Sequence, residues 1–213
     1  MGTFDLGLIG SEGDAGKHER SDAAANRRLI LETAAALFEQ RGVPEVTMAD
    51  IASVAGVGKG TLYRRFNNKG ELSLALMDSQ MSDFQNQVLA QLREDAQMDR
   101  PYMAQLDFFL DALVRFTDTH LPLICVVQST GLLPEDRERT RPYYWQHQTI
   151  SGLLTRAIEA GELPISVDVL YTADALLAPL RADIFRFQRE VRRFSLERIS
   201  SGLRTVMAGL QQL

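Results

Sequence analysis

Apolar side chains recur at intervals of three and four along nearly every segment of this chain, and no segment alternates convincingly with a period of two. That rhythm puts them on one face of an α-helix and leaves no material for a sheet. Between residues 26 and 41, Ile30, Ala34, Leu37 and Phe38 share a face, and Gly42 with Pro44 ends the segment. Thr47-Met-Ala-Asp50 has the form of a capping box and announces a second helix that stops at Gly56. A third runs from Lys59 to Phe66, and Asn68 with Glu71 caps a long fourth toward Arg93. Further helices are expected near 101–119, 122–131, 141–160, 167–189 and 195–212. They are separated by Pro101, Pro122, Gly131 with Pro134, Pro142, and Gly161 with Pro164. The expected class is all-α.

Charge divides the chain further. The net charge is −5 over 213 residues, which excludes a polycation that coats nucleic acid indiscriminately. Residues 23–70 nevertheless carry seven bases (Arg27, Arg28, Arg41, Lys59, Arg64, Arg65 and Lys69) against four acids (Glu32, Glu39, Glu45 and Asp50). A small positive module therefore sits on an acidic body. Residues 1–22 are acidic and rich in Gly, Asp and Ser, and read as a disordered tail. Cys125 is the only cysteine, so neither an intrachain disulfide nor a cysteine-based zinc cluster can form. No run of 18 apolar residues and no signal-peptide pattern is present, and a cytoplasmic protein with no membrane partner is expected.

The stretch GVGKGTLYRRFNNK, residues 56–69, admits two readings. As a phosphate-cradling loop it fails: Gly60 rather than Ser or Thr follows Lys59, Ser53 stands where the first glycine belongs, and no strand precedes it. The dinucleotide pattern fails at Thr61. As a helix it is coherent. Leu62 and Phe66 share one face and can anchor it, while Thr61, Arg64 and Arg65 share another, with Tyr63 beside them. A helix, a short turn at Gly56-Val57 and a basic helix make a helix-turn-helix, whose second member enters the major groove of DNA. Lys69 lies in the first turn of the fourth helix, where a cation opposes the helix dipole, and a phosphate contact would explain it.

AGVGKGTLYRRFNNKGEL, preceded by an Ile-Leu-x-x-Ala-x-x-Leu-Phe helix and by VTMADIA, resembles the N-terminal domain of TetR-type transcriptional regulators over residues 24–84. The resemblance implies that Thr47 touches a phosphate. Lys59, Gly60, Thr61 and Arg64 would face the major groove, and Tyr63, Arg65 and Lys69 would grip the backbone. Two departures stand out: Gly58 replaces a frequent Ser and weakens the cap of the recognition helix, and Gly70 replaces a helix-favouring residue. The resemblance also implies domains at 23–70 (motif 47–66) and 71–213, the second one dimerising and binding a small effector.

Within 71–213, Leu177, Leu180 and Ile184 continue a 3,4 stripe begun at Leu170 and Ala173, and Ile199, Leu203, Val206 and Leu210 form a second. Such seams suit a four-helix bundle between two chains, or packing inside one. Phe108, Phe109, Phe116, His120, Gln128, Tyr144, Trp145 and Gln148 are candidate lining for an effector pocket, largely apolar with a few polar groups. Arg115 is the nearby cation able to pair with a ligand carboxylate. No spacing of His120, Cys125 and His147 suggests a metal site, no cofactor is implied, and no nucleophile has a base and an orienting partner, so no enzyme is expected. The expected function is an effector-responsive repressor that binds operator DNA as a homodimer. An activator or architectural DNA binder, or a nucleotide-binding enzyme, are the alternatives.

Overall fold

The computed structural model describes residues 12–129 and 142–212, and every regular element among them is helical. The all-α expectation therefore holds. Contacts divide the chain into two units, Met1–Leu72 and Ser73–Leu213, with the division falling inside one continuous helix.

The first unit contains α1 (Glu12–Arg41), α2 (Met48–Val54), α3 (Lys59–Tyr63) and the first turn of α4 (Lys69–Gln97). Helix α1 starts earlier than the periodicity suggests. Residues 12–22, read from sequence as part of a disordered tail, continue it, and residues 1–11 lie outside the described residues. Between Glu12 and Arg41 the sequence holds no proline and is rich in Ala, Glu and Arg, which favour helix, with acids early where the dipole welcomes them. Gly42 (φ 82°) and Gly56 (φ 66°) end α1 and α2 in the left-handed conformation that a side chain disfavours. Helix α1 packs on α2 and α2 on α3. Their shared core includes Ile30, Ala34, Val46, Ile51, Leu62 and Phe66, all buried.

The second unit is organised around α5 (Tyr102–Ser129), against which α6 (Pro142–Glu159), α8 (Ala182–Arg186) and α9 (Leu196–Leu210) pack, while α7 (Val169–Leu177) packs on α6. Two expectations are corrected here. Pro122 does not divide two helices; it lies inside α5. The exposed proline forgoes one backbone bond, and burial of Leu121 and Leu123 on either side holds the helix together. Conversely, the helix expected over 167–189 is broken. Pro179 sits in a 3-10 turn (Ala178–Leu180), Arg181 turns extended with ψ 138°, and α8 is followed by a π turn (Phe187–Val191). A proline has no N–H to continue the ladder and clashes with the preceding turn, so the axis changes direction there. Polar ties join distant elements. Ser200 donates to Asp111 (2.7 Å) and Arg204 to Asp107 (2.7 Å), fastening α9 to α5. Glu162 accepts from the Tyr102 and Met103 N–H groups (2.8 Å each), capping α5 from the loop after α6.

Candidate DNA-binding site

The recognition segment is built from its buried side outward. Leu62 and Phe66 are buried, and Arg27 of α1 stacks its guanidinium 5.9 Å from the Phe66 ring centroid. With that side anchored, Lys59, Gly60, Tyr63 and Arg64 are exposed together, and Thr61 and Arg65 are half-buried at the margin. Tyr63 is 48% exposed, which leaves its ring and hydroxyl open to a partner. The segment after α3 stays helical in its bonding, with Arg65 and Phe66 N–H groups donating to Leu62 O, so Arg64 and Arg65 keep the helical spacing on which their common face depends. Gly58 caps α3 without a side-chain bond. A Cβ on Gly60 would meet nothing within 4 Å and one on Gly58 only Thr61 Oγ1 at 3.8 Å, so the protein's own packing requires neither glycine.

Thr47 has a different occupation from a free phosphate ligand. Its hydroxyl accepts from Asp50 N–H (3.1 Å) and donates to Asp50 Oδ2 (2.6 Å), while its own N–H donates to the same carboxylate (2.9 Å). These bonds hold the Asp50 carboxyl below the usual carboxylate range. The capping box at the start of α2 thus uses the hydroxyl internally.

Lys69 also has partners inside the protein. Its ammonium donates to the carbonyl oxygens of Val43 (2.8 Å), Pro44 (3.1 Å) and Val46 (3.0 Å). Its three N–H groups thus serve three acceptors in the free protein. At the same helix start, Asn68 Oδ1 accepts from Glu71 N–H (2.9 Å), and the Glu71 carboxylate accepts from the Asn67 backbone N–H (3.0 Å) and side-chain amide. The Asn67 bonds lower the Glu71 carboxyl from its ordinary value.

In the second unit, part of the candidate pocket lining converges. Phe84 of α4, absent from the sequence-based set, meets Phe116 (centroids 4.5 Å) and Trp145 (6.0 Å, edge to face). Phe109 also meets Trp145 (5.6 Å), and Phe116 meets His120 (4.3 Å). Phe84 was discoverable from the α4 rhythm that also selects Met77, Met81 and Val88, all buried. Burial lowers the His120 pKa, which favours neutral imidazole. Phe108 is half-buried, whereas Gln128, Tyr144 and Gln148 are exposed and belong to no ring contact with the cluster. Arg115 donates through Nε to Asp111 Oδ2 (2.9 Å) in the free protein.

The two apolar stripes also separate. Leu177, Leu180, Ile199 and Leu203 are buried within the protomer. Ile184, Phe187 and Val206 are exposed and, with Pro179 and Phe194, line a groove of about 740 Å³. Leu210 is half-buried. Among the described residues no three metal-ligating side chains converge, and no helix is long and apolar enough to cross a membrane.

Residues 30–76 match the profile of the bacterial regulatory proteins of the tetR family. The probable HTH-type transcriptional regulator ArpR of Pseudomonas putida is 33% identical over 170 residues, covering 76% of this chain and 80% of that protein. The chain belongs to the TetR family. The TetR-family match begins at Ile30, spans α2 and α3 and ends at Leu76 in α4, so it contains every exposed side chain of the recognition segment. The HTH-type transcriptional regulator TtgR, also of Pseudomonas putida, is 32% identical over 169 residues, again 76% of this chain and 80% of that protein. In structure, a transcriptional regulator from Saccharomonospora viridis in complex with choline superimposes with a TM-score of 0.69 at 21% identity, over 87% of this chain and 96% of that one. This TetR-family protein is a DNA-binding helix-turn-helix transcriptional regulator rather than an enzyme.

Proposed function

We propose that the protein is a cytoplasmic repressor that binds a partly palindromic operator as a homodimer and leaves it when a small, largely apolar effector binds the second unit. The observation that carries this reading is the exposed set Lys59, Gly60, Tyr63 and Arg64 on a helix anchored by buried Leu62 and Phe66. Arg and Lys suit guanine edges and phosphates, a tyrosine hydroxyl suits the backbone, and Gly60 lets the helix approach closely. Dimerisation is supported by Ile184, Phe187 and Val206, apolar groups left exposed around one groove. Two recognition helices then meet half-sites about one helical turn apart.

Effector binding is supported by the Phe84, Phe109, Phe116, His120 and Trp145 cluster, where aromatic faces accompany a neutral imidazole. The regulator of similar fold in complex with choline lends it further support. Helix α4 runs unbroken from Lys69 to Gln97, so a ligand that displaces Phe84 would move the helix whose first turn adjoins the recognition segment. Selection of bound fragments from a DNA pool with purified protein tests the reading. It expects a symmetric site whose complex dissociates on addition of an apolar ligand; selection of no preferred sequence refutes it.

A further inference from the structure

We propose that the groove between the π turn and α9 holds a multivalent oxyanion, a phosphate or sulfate group, clamped by Arg192 and Arg198 of both protomers when two chains associate. The inference rests on that groove being the dimer interface. Among the described residues its lining carries Arg192 and Arg198 and no Asp or Glu. Both side chains belong to exposed residues, and no ion pair joins either of them to a carboxylate among the described residues. The neighbouring carboxylates are engaged elsewhere: Asp183 with Arg181 (3.4 Å), Asp118 with Arg189 (2.7 Å) and Asp107 with Arg204 (2.7 Å). The Glu197 carboxyl, held below its ordinary value by its own backbone N–H and by Ser195, faces Arg115 and Arg189. Glu190 lines a separate hollow beside Asp118 and Arg193.

One ring fixes the two guanidinium groups. Arg198 lies over Phe194, with Cζ 3.9 Å from the ring centroid, and Arg192 approaches the same ring at 6.0 Å and that of Phe187 at 5.4 Å. The backbone of Phe194 is tied in turn. Its N–H donates to Gln188 O (3.0 Å), and its carbonyl accepts from Arg189 Nη1 (2.6 Å), whose Nε donates to Asp118 (2.7 Å). A guanidinium that stacks by its face keeps the N–H groups at its edge for an oxygen acceptor. An isologous interface presents the same patch from both chains, so the arginine pair enters one contact region with its own copy. Like charges in a groove that association dries out oppose the dimer. An oxyanion with oxygens in several directions accepts from guanidinium edges on both sides and removes that opposition. Ile184, Phe187 and Val206 then drive association, and the anion neutralises the charge beside them.

The test is the rate of subunit exchange between differently labelled wild-type protomers. Replacing chloride by inorganic phosphate at constant ionic strength should slow exchange about tenfold or more, the scale of charge-assisted hydrogen bonds gained by the dimer. A parallel titration with adenosine 5′-monophosphate distinguishes the source: an equal effect assigns the site to the bare ion, and a larger one to an organic phosphate. The Arg192→Gln, Arg198→Gln double variant should exchange in chloride no faster than wild type and should gain nothing from phosphate. Equal wild-type exchange in the two anions overturns the proposal, and this measurement needs no variant to fold. So does a phosphate response that survives in the double variant. Failure of the interface reading is seen separately, as a wild-type monomer in sedimentation or as a dimer that persists in Val206→Arg, which adds a further cation to the groove.

Discussion

The indole of Trp145 meets the ring of Phe84 edge to face, with centroids 6.0 Å apart. Trp145 is the chain's single tryptophan, so a native fluorophore stands within the proposed effector site. An apolar ligand that parts these rings should change the emission. Fluorescence and operator-release titrations should give the same midpoint, with a coupling of about 1–3 kcal/mol felt equally by ligand and DNA. A compound that shifts the emission at saturation and leaves operator affinity unchanged would disprove the coupling.

Arg64 and Gly60 separate base reading from close approach. Arg64→Ala should lose about 1–3 kcal/mol of operator binding and relax preference at one base pair. Gly60→Ala places a Cβ in open space and removes a flexible residue from a helix, so it should stabilise the free protein by about 0.5–1 kcal/mol. The same methyl should weaken the operator complex. Stability follows from thermal denaturation and affinity from DNA titration; a Gly60→Ala protein that binds as tightly as wild type would show that the backbone does not approach DNA there.

For the dimer, the informative positions are those the protomer leaves uncovered. Ile184→Glu and Val206→Glu put carboxylates on residues 39% and 53% exposed in the single chain, so the protomer should fold while the dimer dissociates and operator affinity falls. Leu203→Glu, by contrast, buries a charge inside the protomer, where Leu203 is 5% exposed, and should unfold it. Sedimentation separates the two outcomes, and a dimeric Ile184→Glu, Val206→Glu double variant would move the interface elsewhere.

Alkaline titration reports the junction of α6 and α7. Burial of the Tyr143 hydroxyl and its 2.5 Å bond to Asp174 raise its pKa to about 12, from about 10 for an unperturbed tyrosine. The folded state holds this proton more tightly than the unfolded state. Its stabilisation is therefore complete below about pH 10 and is lost as pH rises through about 12. Tyrosinate absorbance should show one of the five tyrosines ionising late, and Tyr143→Phe should delete that step. Uniform ionisation near pH 10 in wild type would contradict the assignment.

By itself the sequence determined the helical class and the helix-turn-helix, because both are written locally. Spacing of Ile30, Ala34, Leu37 and Phe38 selects a helix face, Thr47 with Asp50 writes a cap four residues long, and Leu62 with Phe66 against Arg64 with Arg65 gives α3 its two sides. Tertiary structure alone decided what covers each face. Periodicity marks Leu203 and Val206 alike as apolar, yet one is buried in its own chain and the other is exposed. Sequence showed that Lys69 is a cation in an unfavourable place, but its carbonyl partners lie 23–26 residues away and become neighbours only when α1, α2 and α4 pack. In sequence Pro122 reads as a breaker between two helices, whereas 167–189 reads as one helix despite Pro179 within it. Buried neighbours hold α5 through the first, whereas the chain changes direction after the second, because the cost of a missing hydrogen bond is met or not by packing that no local pattern contains.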